Sequence, residues 1–66
     1  MEFKTYWGNI PGKRKDEFAR ACRCSKGHLR NIAGGFRKAS PKLAYFIERA
    51  SNGVVRKETL CPDFQW

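Results

Sequence analysis

The stretch KDEFARACRCSKGHLRNIAG, residues 15–34, decides the fold of this 66-residue chain. Its apolar residues recur at helical spacing in two groups, so it predicts two short amphipathic helices joined by a tight turn. Basic and polar residues occupy the outer positions of the second helix. This layout is typical of a helix-turn-helix, in which the second helix enters the major groove of DNA.

The two helices of this motif are predicted over residues 14–22 and about 25–34. Asp16 and Glu17 would lie in the first turn of the earlier helix, where the helix dipole favours acids. Arg23 and Cys24 form the turn, and the Ser25 hydroxyl caps the later helix. Close packing of the pair requires small or apolar inward residues: Phe18, Ala19, Cys22, Cys24, Leu29 and Ile32. Two glycines then stop the second helix: Gly34 and Gly35.

Flanking elements complete a mostly helical domain. A short first helix has one apolar stripe and is limited by Gly8, Pro11 and Gly12; the stripe comprises Phe3, Tyr6, Trp7 and Ile10. Ser40-Pro41 starts a further helix that Asn52-Gly53 ends, with its own apolar stripe of Leu43, Phe46, Ile47 and Ala50. Extended residues 54–55 and a last helical turn over 56–61 follow. We expect a mostly helical domain of four to five short helices.

Positive charge is concentrated in the middle of the chain. Fourteen Lys and Arg residues against six Asp and Glu residues give a net charge of +8. Residues 13–42 carry ten basic groups and two acids, whereas residues 1–12 and 43–66 each balance. The whole excess therefore lies on the predicted motif and its flanks, where DNA phosphates would lie. A charge that served solubility alone would not favour one part of the chain so strongly.

Length and composition limit the class of protein. The chain is long enough for one domain, residues 1–66, and leaves little room for a catalytic cleft beside its core. No apolar run approaches a membrane span, and the N-terminus lacks the pattern of a signal peptide. Three cysteines are an odd number, which argues against a closed disulfide framework. We expect a non-enzymatic protein of the cytoplasm, in a bacterial cell or infected host, associated with the nucleoid.

The outward residues of the second helix are the predicted base readers. Lys and Arg donate to guanine, and Asn pairs with adenine, while a glycine lets the backbone approach the groove. The predicted base-reading residues are Lys26, Gly27, His28, Arg30 and Asn31. Other groups are better placed to bind phosphates, either as cations or at the helix start: Lys13, Arg14, Lys15, Ser25, Arg37, Lys38 and Lys42. For Arg30 and Asn31 the alternative is a merely solvent-facing position.

These features resemble the small phage Cro-type repressors, especially the YdaS-like antitoxin family of Cro-like proteins. FKTYWG resembles the opening helix of that family, and residues 18–51 resemble its helix-turn-helix and following helix. NGVVRKETLCPDF resembles its closing stretch, and residues 47–63 are the most specific part. The resemblance implies a lambda-repressor-like, Cro-type helix-turn-helix domain in a phage or prophage regulator of transcription. It also allows a protein partner such as a cognate toxin.

The chain departs from the family pattern at several positions. Arg23 stands where a turn glycine is expected, and a positive φ there would cost on the order of 1 kcal/mol. A rearranged turn is the alternative. Gly27 inside the recognition helix costs about 1 kcal/mol relative to Ala. Cys24 replaces an aliphatic residue, Arg56 a capping threonine and Cys61 an arginine.

Two other kinds of site were weighed against DNA binding. The four residues Cys22, Cys24, His28 and Cys61 are the one set with enough ligands for zinc, but their spacing matches no common zinc finger. We therefore expect no metal, no cofactor and no catalytic residue. Nine aromatic residues suggest a stacking platform for single strands, but helical spacing predicts that most are core. The exceptions, Phe64 and Trp66, are either disordered or docked, for example on a partner subunit.

The leading hypothesis is a sequence-specific repressor that binds double-stranded DNA as a homodimer. One such motif covers a half-site, so two-fold dimers would read sites about 34 Å apart. The tail, residues 54–66, is a candidate dimer or partner contact through its apolar side chains: Val54, Val55, Leu60, Phe64 and Trp66. The alternatives are an antitoxin-like protein-interaction module and an RNA or single-strand binding protein.

Overall fold

The computed structural model describes all 66 residues and contains five α-helices and no β-strand. The helices are α1 (Phe3–Asn9), α2 (Gly12–Ala21), α3 (Lys26–Ala33), α4 (Pro41–Ala50) and α5 (Lys57–Leu60). The predicted mostly helical fold with four to five short helices is therefore confirmed, and it is compatible with a small helix-turn-helix domain. None of the helices combines the length and the apolar character that crossing a membrane requires.

The first helix continues through one of the glycines that were expected to limit it. Gly8 lies inside α1, which ends at Asn9 before the extended Ile10, so the prediction that Gly8 limits this helix is wrong. A glycine in a helix interior costs about 1 kcal/mol relative to alanine. Burial of Phe3 and Trp7 on the inner side of α1 offsets that cost because each removes a large aromatic surface from water.

The second helix begins two residues earlier than predicted. Pro11 is extended, with φ −71° and ψ 163°, and α2 starts directly after it at Gly12. The Pro11 carbonyl accepts a hydrogen bond from the Lys15 N–H at 2.9 Å. Asp16 and Glu17 consequently lie beyond the first turn of α2, and their predicted place there is wrong.

The core is organised around the Phe18 ring of α2. Three aromatic rings of α1 surround it, with centroids 5.9 Å away for Phe3, 5.6 Å for Tyr6 and 6.1 Å for Trp7. Aromatic pairs at such separations contribute about 0.5–1.5 kcal/mol beyond their area of burial. Four large side chains are completely enclosed in this core: Phe18, Leu29, Ile47 and Val55. The aromatic stripe of α1 therefore attaches this helix to the helix-turn-helix.

Burial differs from expectation at three apolar residues. Val55 is 0% exposed and belongs to the core, so its assignment to a dimer surface is wrong. Phe36 and Tyr45 are 83% and 44% exposed, so the prediction that they are core is also wrong. Phe36 follows the end of α3 in a loop, whereas Tyr45 lies on the outer face of α4.

The turn of the helix-turn-helix keeps its usual backbone geometry despite its arginine. Arg23 has a φ of +57°. Its N–H donates to the Arg20 carbonyl, and the Cys24 N–H donates to the Ala19 carbonyl, both at 3.1 Å. These two bonds form the Schellman motif, which usually has glycine at the left-handed residue. The alternative of a rearranged turn is therefore wrong, and Arg23 adopts a positive φ that is strained for a residue with a Cβ. The same motif ends α4, with Asn52 at φ +56°.

The last helix is joined to α4 by a carboxylate. Arg56 precedes α5 but its side chain makes no capping hydrogen bond. Instead, Glu48 Oε2 accepts a hydrogen bond from the Lys57 N–H at 2.9 Å. Between the two helices, the buried hydroxyl of Ser51 accepts from the Val55 N–H at 3.0 Å and donates to the Glu48 carbonyl at 3.1 Å. Tertiary contacts thus replace the local cap of α5.

The tail folds back on its own chain. Trp66 Nε1 donates to the Cys61 carbonyl at 3.1 Å, and the Trp66 ring packs edge-on against Phe64 with centroids 4.6 Å apart. Lys57 Nζ lies 5.3 Å from the centroid of the Trp66 ring. The tail is therefore docked against α5, although both aromatic rings keep nearly half of their surface exposed.

Candidate nucleic-acid interface

Helix α3, the predicted recognition helix, is positioned by its cap and by two buried side chains. Ser25 Oγ accepts a hydrogen bond from the His28 N–H at 3.0 Å, which confirms the predicted cap. Leu29 and Ile32 point into the core, with 0% and 8% of their surface exposed. Because these two residues fix the rotation of the helix, the residues between them face outward.

Most predicted base readers lie on one concave surface. This surface, which we call the α3 face, includes four of the five predicted base readers together with Ser25 and Arg37. Its full lining is Ser25, Gly27, His28, Arg30, Asn31, Gly34, Phe36 and Arg37. All of these residues are exposed except His28, which is half-buried. The structure thus brings these predicted base readers together on one side of α3.

The fifth predicted base reader, Lys26, borders a neighbouring depression. Its lining combines the start of α3 with residues of α1 and α2: Trp7, Gly12, Lys15, Lys26, Gly27 and Arg30. Gly27 and Arg30 belong to both depressions, so the two form one continuous surface. A side chain at Gly27 would meet no atom within 4 Å, so its absence leaves the α3 backbone open to a ligand.

An acid holds the first lysine of α3. Lys26 Nζ lies 3.0 Å from Asp16 Oδ1, and both side chains are more than half exposed. Exposed ion pairs of this kind contribute about 0–1 kcal/mol to stability. Asp16 therefore contributes little to stability, but it places a negative charge beside the predicted interface.

The predicted phosphate-binding cations surround this surface at different distances. Lys15 borders the Lys26 depression, with Nζ 5.4 Å from the centroid of the Trp7 ring. Arg14 pairs with Glu17 at 3.3 Å. Lys13 and Lys38 are exposed outside both depressions. Lys42 lies apart from the α3 face, 5.9 Å from the Phe46 ring, in a depression that shares His28 with that face.

Two aromatic residues that the sequence did not assign to the site line these depressions. Trp7 lines the Lys26 depression and Phe36 lines the α3 face. Trp7 follows the apolar stripe of α1, so its pattern predicts core, and its ring is indeed almost completely buried. Phe36 follows Gly34-Gly35, where helical periodicity has ended. That break was the available signal that Phe36 lies outside the core stripe.

The cysteines and histidine do not form a metal site. No three His, Cys, Asp or Glu side chains lie close enough together to hold a metal ion. Burial, and next the proximity of Cys24, raises the pKa of the Cys22 thiol to about 12. Burial also raises the pKa of Cys24. Cys22 is buried and Cys24 is half-buried, so both pack as small apolar side chains.

Comparison with known proteins agrees with a regulatory role. No family model matches the chain, and no solved structure matches it. A prophage transcriptional regulatory protein of Escherichia coli (strain K12) is 33% identical over 60 residues, which cover 91% of each chain. The aligned region covers nearly the whole length of both chains and therefore spans α3. The chain therefore belongs to the family of this prophage regulator, a family of phage transcriptional regulators.

Proposed function

We propose that this protein is a Cro-type repressor that binds double-stranded DNA in a sequence-specific manner, with α3 in the major groove. The observation that carries the proposal is the composition of the α3 face. Arg30 and Asn31 stand side by side on it, and these are the side-chain types that pair with guanine and adenine edges. The prophage regulator to which the chain is similar supports a role in transcription.

Charge supports DNA as the ligand. All ten cations of residues 13–42 lie on α2, α3, α4 or the loops between them, and two acids oppose them. A surface of this kind neutralises phosphates and releases counterions from DNA. We assign the positioning of the duplex to the phosphate-binding set given above, of which Ser25, Lys15 and Arg37 directly border the interface.

A dimer is part of the proposal because one α3 covers a half-site. Two copies related by a two-fold axis would place their recognition helices about 34 Å apart, one turn of the duplex. Of the apolar residues considered for the dimer contact, Val54, Phe64 and Trp66 keep 41–46% of their surface exposed. Leu60 is half-buried against the core, so the three exposed residues are the candidates that we retain for the contact between copies.

The test is selection of duplexes from a random pool by the purified protein at about physiological salt, where non-specific binding is weak. We expect enrichment of a two-fold-symmetric site. The matched control is a variant with Arg30→Ala and Asn31→Ala, which leaves the core untouched and should enrich no site. Binding that merely fades as salt rises, with no enrichment, would contradict the proposal and would favour a protein partner or an RNA ligand.

A further inference from the structure

The most exposed large apolar side chain of this protein is Phe36, at 83% of its surface. Leaving an aromatic ring in water forgoes the favourable burial that the other rings of the chain obtain. Phe64 and Trp66, also exposed, at least pack against one another. No aromatic ring and no cation pairs with Phe36 in the same way. Its exposure is therefore unexplained by the fold.

The position of Phe36 is nevertheless well defined. The Phe36 N–H donates to the Asn31 carbonyl at 2.9 Å, and the Gly35 N–H donates to the Ile32 carbonyl at 3.1 Å. With Gly35 at φ +84°, these bonds form the Schellman motif that ends α3. A Cβ at Gly34 would lie 2.9 Å from Phe36 Cε2, so the ring packs directly on the glycine backbone. The backbone of Phe36 is thus fixed relative to α3, and its ring lies against Gly34.

The surroundings of Phe36 indicate what kind of ligand contacts it. The ring borders the α3 face together with Arg30, Asn31 and Arg37. It is the one apolar side chain on that face, and its charged neighbours are both cations. This combination suits a polyanion with an isolated apolar group rather than the apolar surface of a protein. In the major groove the 5-methyl group of thymine is that apolar group, and phenylalanine is among the side chains that contact it.

We propose that Phe36 contacts a thymine methyl group at the edge of the site that α3 reads, and so creates a preference for thymine at one position of each half-site. This inference rests on the proposed function. A ring inserted into the minor groove or stacked on an unpaired base is the alternative. The shared surface with Arg30 and Asn31 favours the major groove.

The experiment begins with the duplex that the selection enriches. Each thymine is replaced in turn by deoxyuridine, which removes the methyl group and leaves the base pairing unchanged, and Kd is measured. We expect one symmetric pair of positions to weaken binding of the unaltered protein roughly 3- to 5-fold per half-site, as removal of one buried methyl group would. The Phe36→Ala variant should bind both duplexes equally, and Phe36→Leu should keep part of the difference.

Tyr45→Ala is the matched control because Tyr45 is also an exposed aromatic residue but lies on α4. This variant should keep the full sensitivity to deoxyuridine. If Phe36→Ala and Phe36→Leu lose affinity at that position to the same extent as the unaltered protein, the inference is wrong while the enriched site still supports the proposed function. Suppose instead that deoxyuridine does not change Kd and that the unaltered protein bends the DNA but Phe36→Ala does not. That result would overturn the inference in favour of insertion of the ring into the minor groove. Failure to enrich any duplex would remove the proposed function itself, and the inference with it.

Discussion

Lys26 of α3 forms a salt bridge with Asp16 of α2, with Nζ and Oδ1 3.0 Å apart. The pair joins the two helices of the helix-turn-helix across their exposed edge. It also means that one predicted base reader is already bound to an acid in the free protein. DNA must compete with Asp16 for the Lys26 ammonium group, and the Asp16 carboxylate would repel approaching phosphates.

Asp16→Asn should therefore raise affinity for duplex DNA several-fold at about 0.1 M salt, where charges within about 10 Å are incompletely screened. Release of Lys26 should also steepen the dependence of log K on log salt by up to about 1. Salt titrations followed by fluorescence anisotropy measure both quantities. Glu58→Gln is the control, since Glu58 pairs with Arg56 and Lys57 away from the α3 face. Equal effects of the two variants would mean that only net charge matters.

Replacement of Arg30 or Asn31 separately by alanine should cost about 1–3 kcal/mol in binding to the preferred site and relax the preference at one base pair. Both side chains are exposed, so the thermal stability of the protein should stay close to that of the unaltered chain. Binding to a panel of single-base-pair variants of the site provides the measurement.

Lys38→Ala provides the contrast to those variants because Lys38 is exposed outside the α3 face. This variant should bind all DNA sequences more weakly to a similar extent, and it should reduce the slope of log K against log salt by about 1. An unchanged slope would remove Lys38 from the phosphate-binding set. Uniform weakening by the Arg30 and Asn31 variants would remove those two from the base readers.

Arg23→Gly should stabilise the protein by about 1 kcal/mol, because glycine adopts the φ of +57° without the steric cost that a Cβ imposes. For a domain of this size the midpoint of thermal unfolding should rise by about 4–8 °C. Circular dichroism during heating checks the shift. Arg23→Ala keeps the Cβ and loses the contact of the guanidinium with the Phe46 ring, 5.9 Å from its centroid, and it should not stabilise. If both variants gain similar stability, the cause is removal of the positive charge of Arg23 rather than relief of backbone strain.

The link between α4 and α5 should make stability depend on pH at both extremes. The hydrogen bond from the Lys57 N–H, and next the positive charges of Lys57 and Arg56, lower the pKa of Glu48 below 4.5. The contribution of the Glu48 carboxylate to the free energy of unfolding is therefore complete above the pKa that Glu48 has in the unfolded chain. It is lost as pH falls through the lowered pKa of the folded protein. The hydrogen bond to Glu58 and the charges of both acids raise the pKa of Lys57 above 10.5. The contribution of the Lys57 ammonium group to the free energy of unfolding is therefore complete below pH 10.5. It is lost as pH rises through the raised pKa of the folded protein.

Urea unfolding between pH 2 and pH 7 tests the acidic half of this expectation. Glu48→Gln should be less stable than the unaltered protein at neutral pH, and its stability should fall less on acidification. Glu2→Gln is the control because the Glu2 carboxylate forms no ion pair, and this variant should follow the unaltered protein. Parallel pH curves for Glu48→Gln and the unaltered protein would show that the carboxylate does not carry the acid dependence.

Local signals predicted the central helices well. Ser25 and Ser40 cap α3 and α4 with hydroxyls that accept from the N–H three residues later, as expected of those residue types. Asn52 ends α4 with a positive φ. These features were predictable because each depends on hydrogen bonds between residues three to five positions apart.

The burial of apolar residues outside the main helices and the contacts between residues distant in the chain were less predictable. Val55 and Phe36 are both apolar and both lie outside the main helices, yet one is enclosed and the other is the most exposed ring of the chain. The break in helical periodicity after Gly34-Gly35 places Phe36 outside the core stripe, but Val55 follows a similar break after Asn52-Gly53. The break alone therefore does not separate the two residues, because burial depends on which helices pack against each side chain. Likewise, Glu48 and Lys57 are nine residues apart, and their hydrogen bond exists because α4 and α5 meet.

The sequence by itself determined the central helices, the caps of α3 and α4, and the placement of all the excess charge on the helix-turn-helix. The reason is that helical periodicity, capping and charge density are properties of residues close together in the chain. The tertiary structure decided that Lys26 is paired with Asp16 and that Phe36 joins Arg30 and Asn31 on one surface. Such relationships arise from the packing of helices, which fixes the rotation of α3 through Leu29 and Ile32 and thereby selects the side chains that can meet a ligand together.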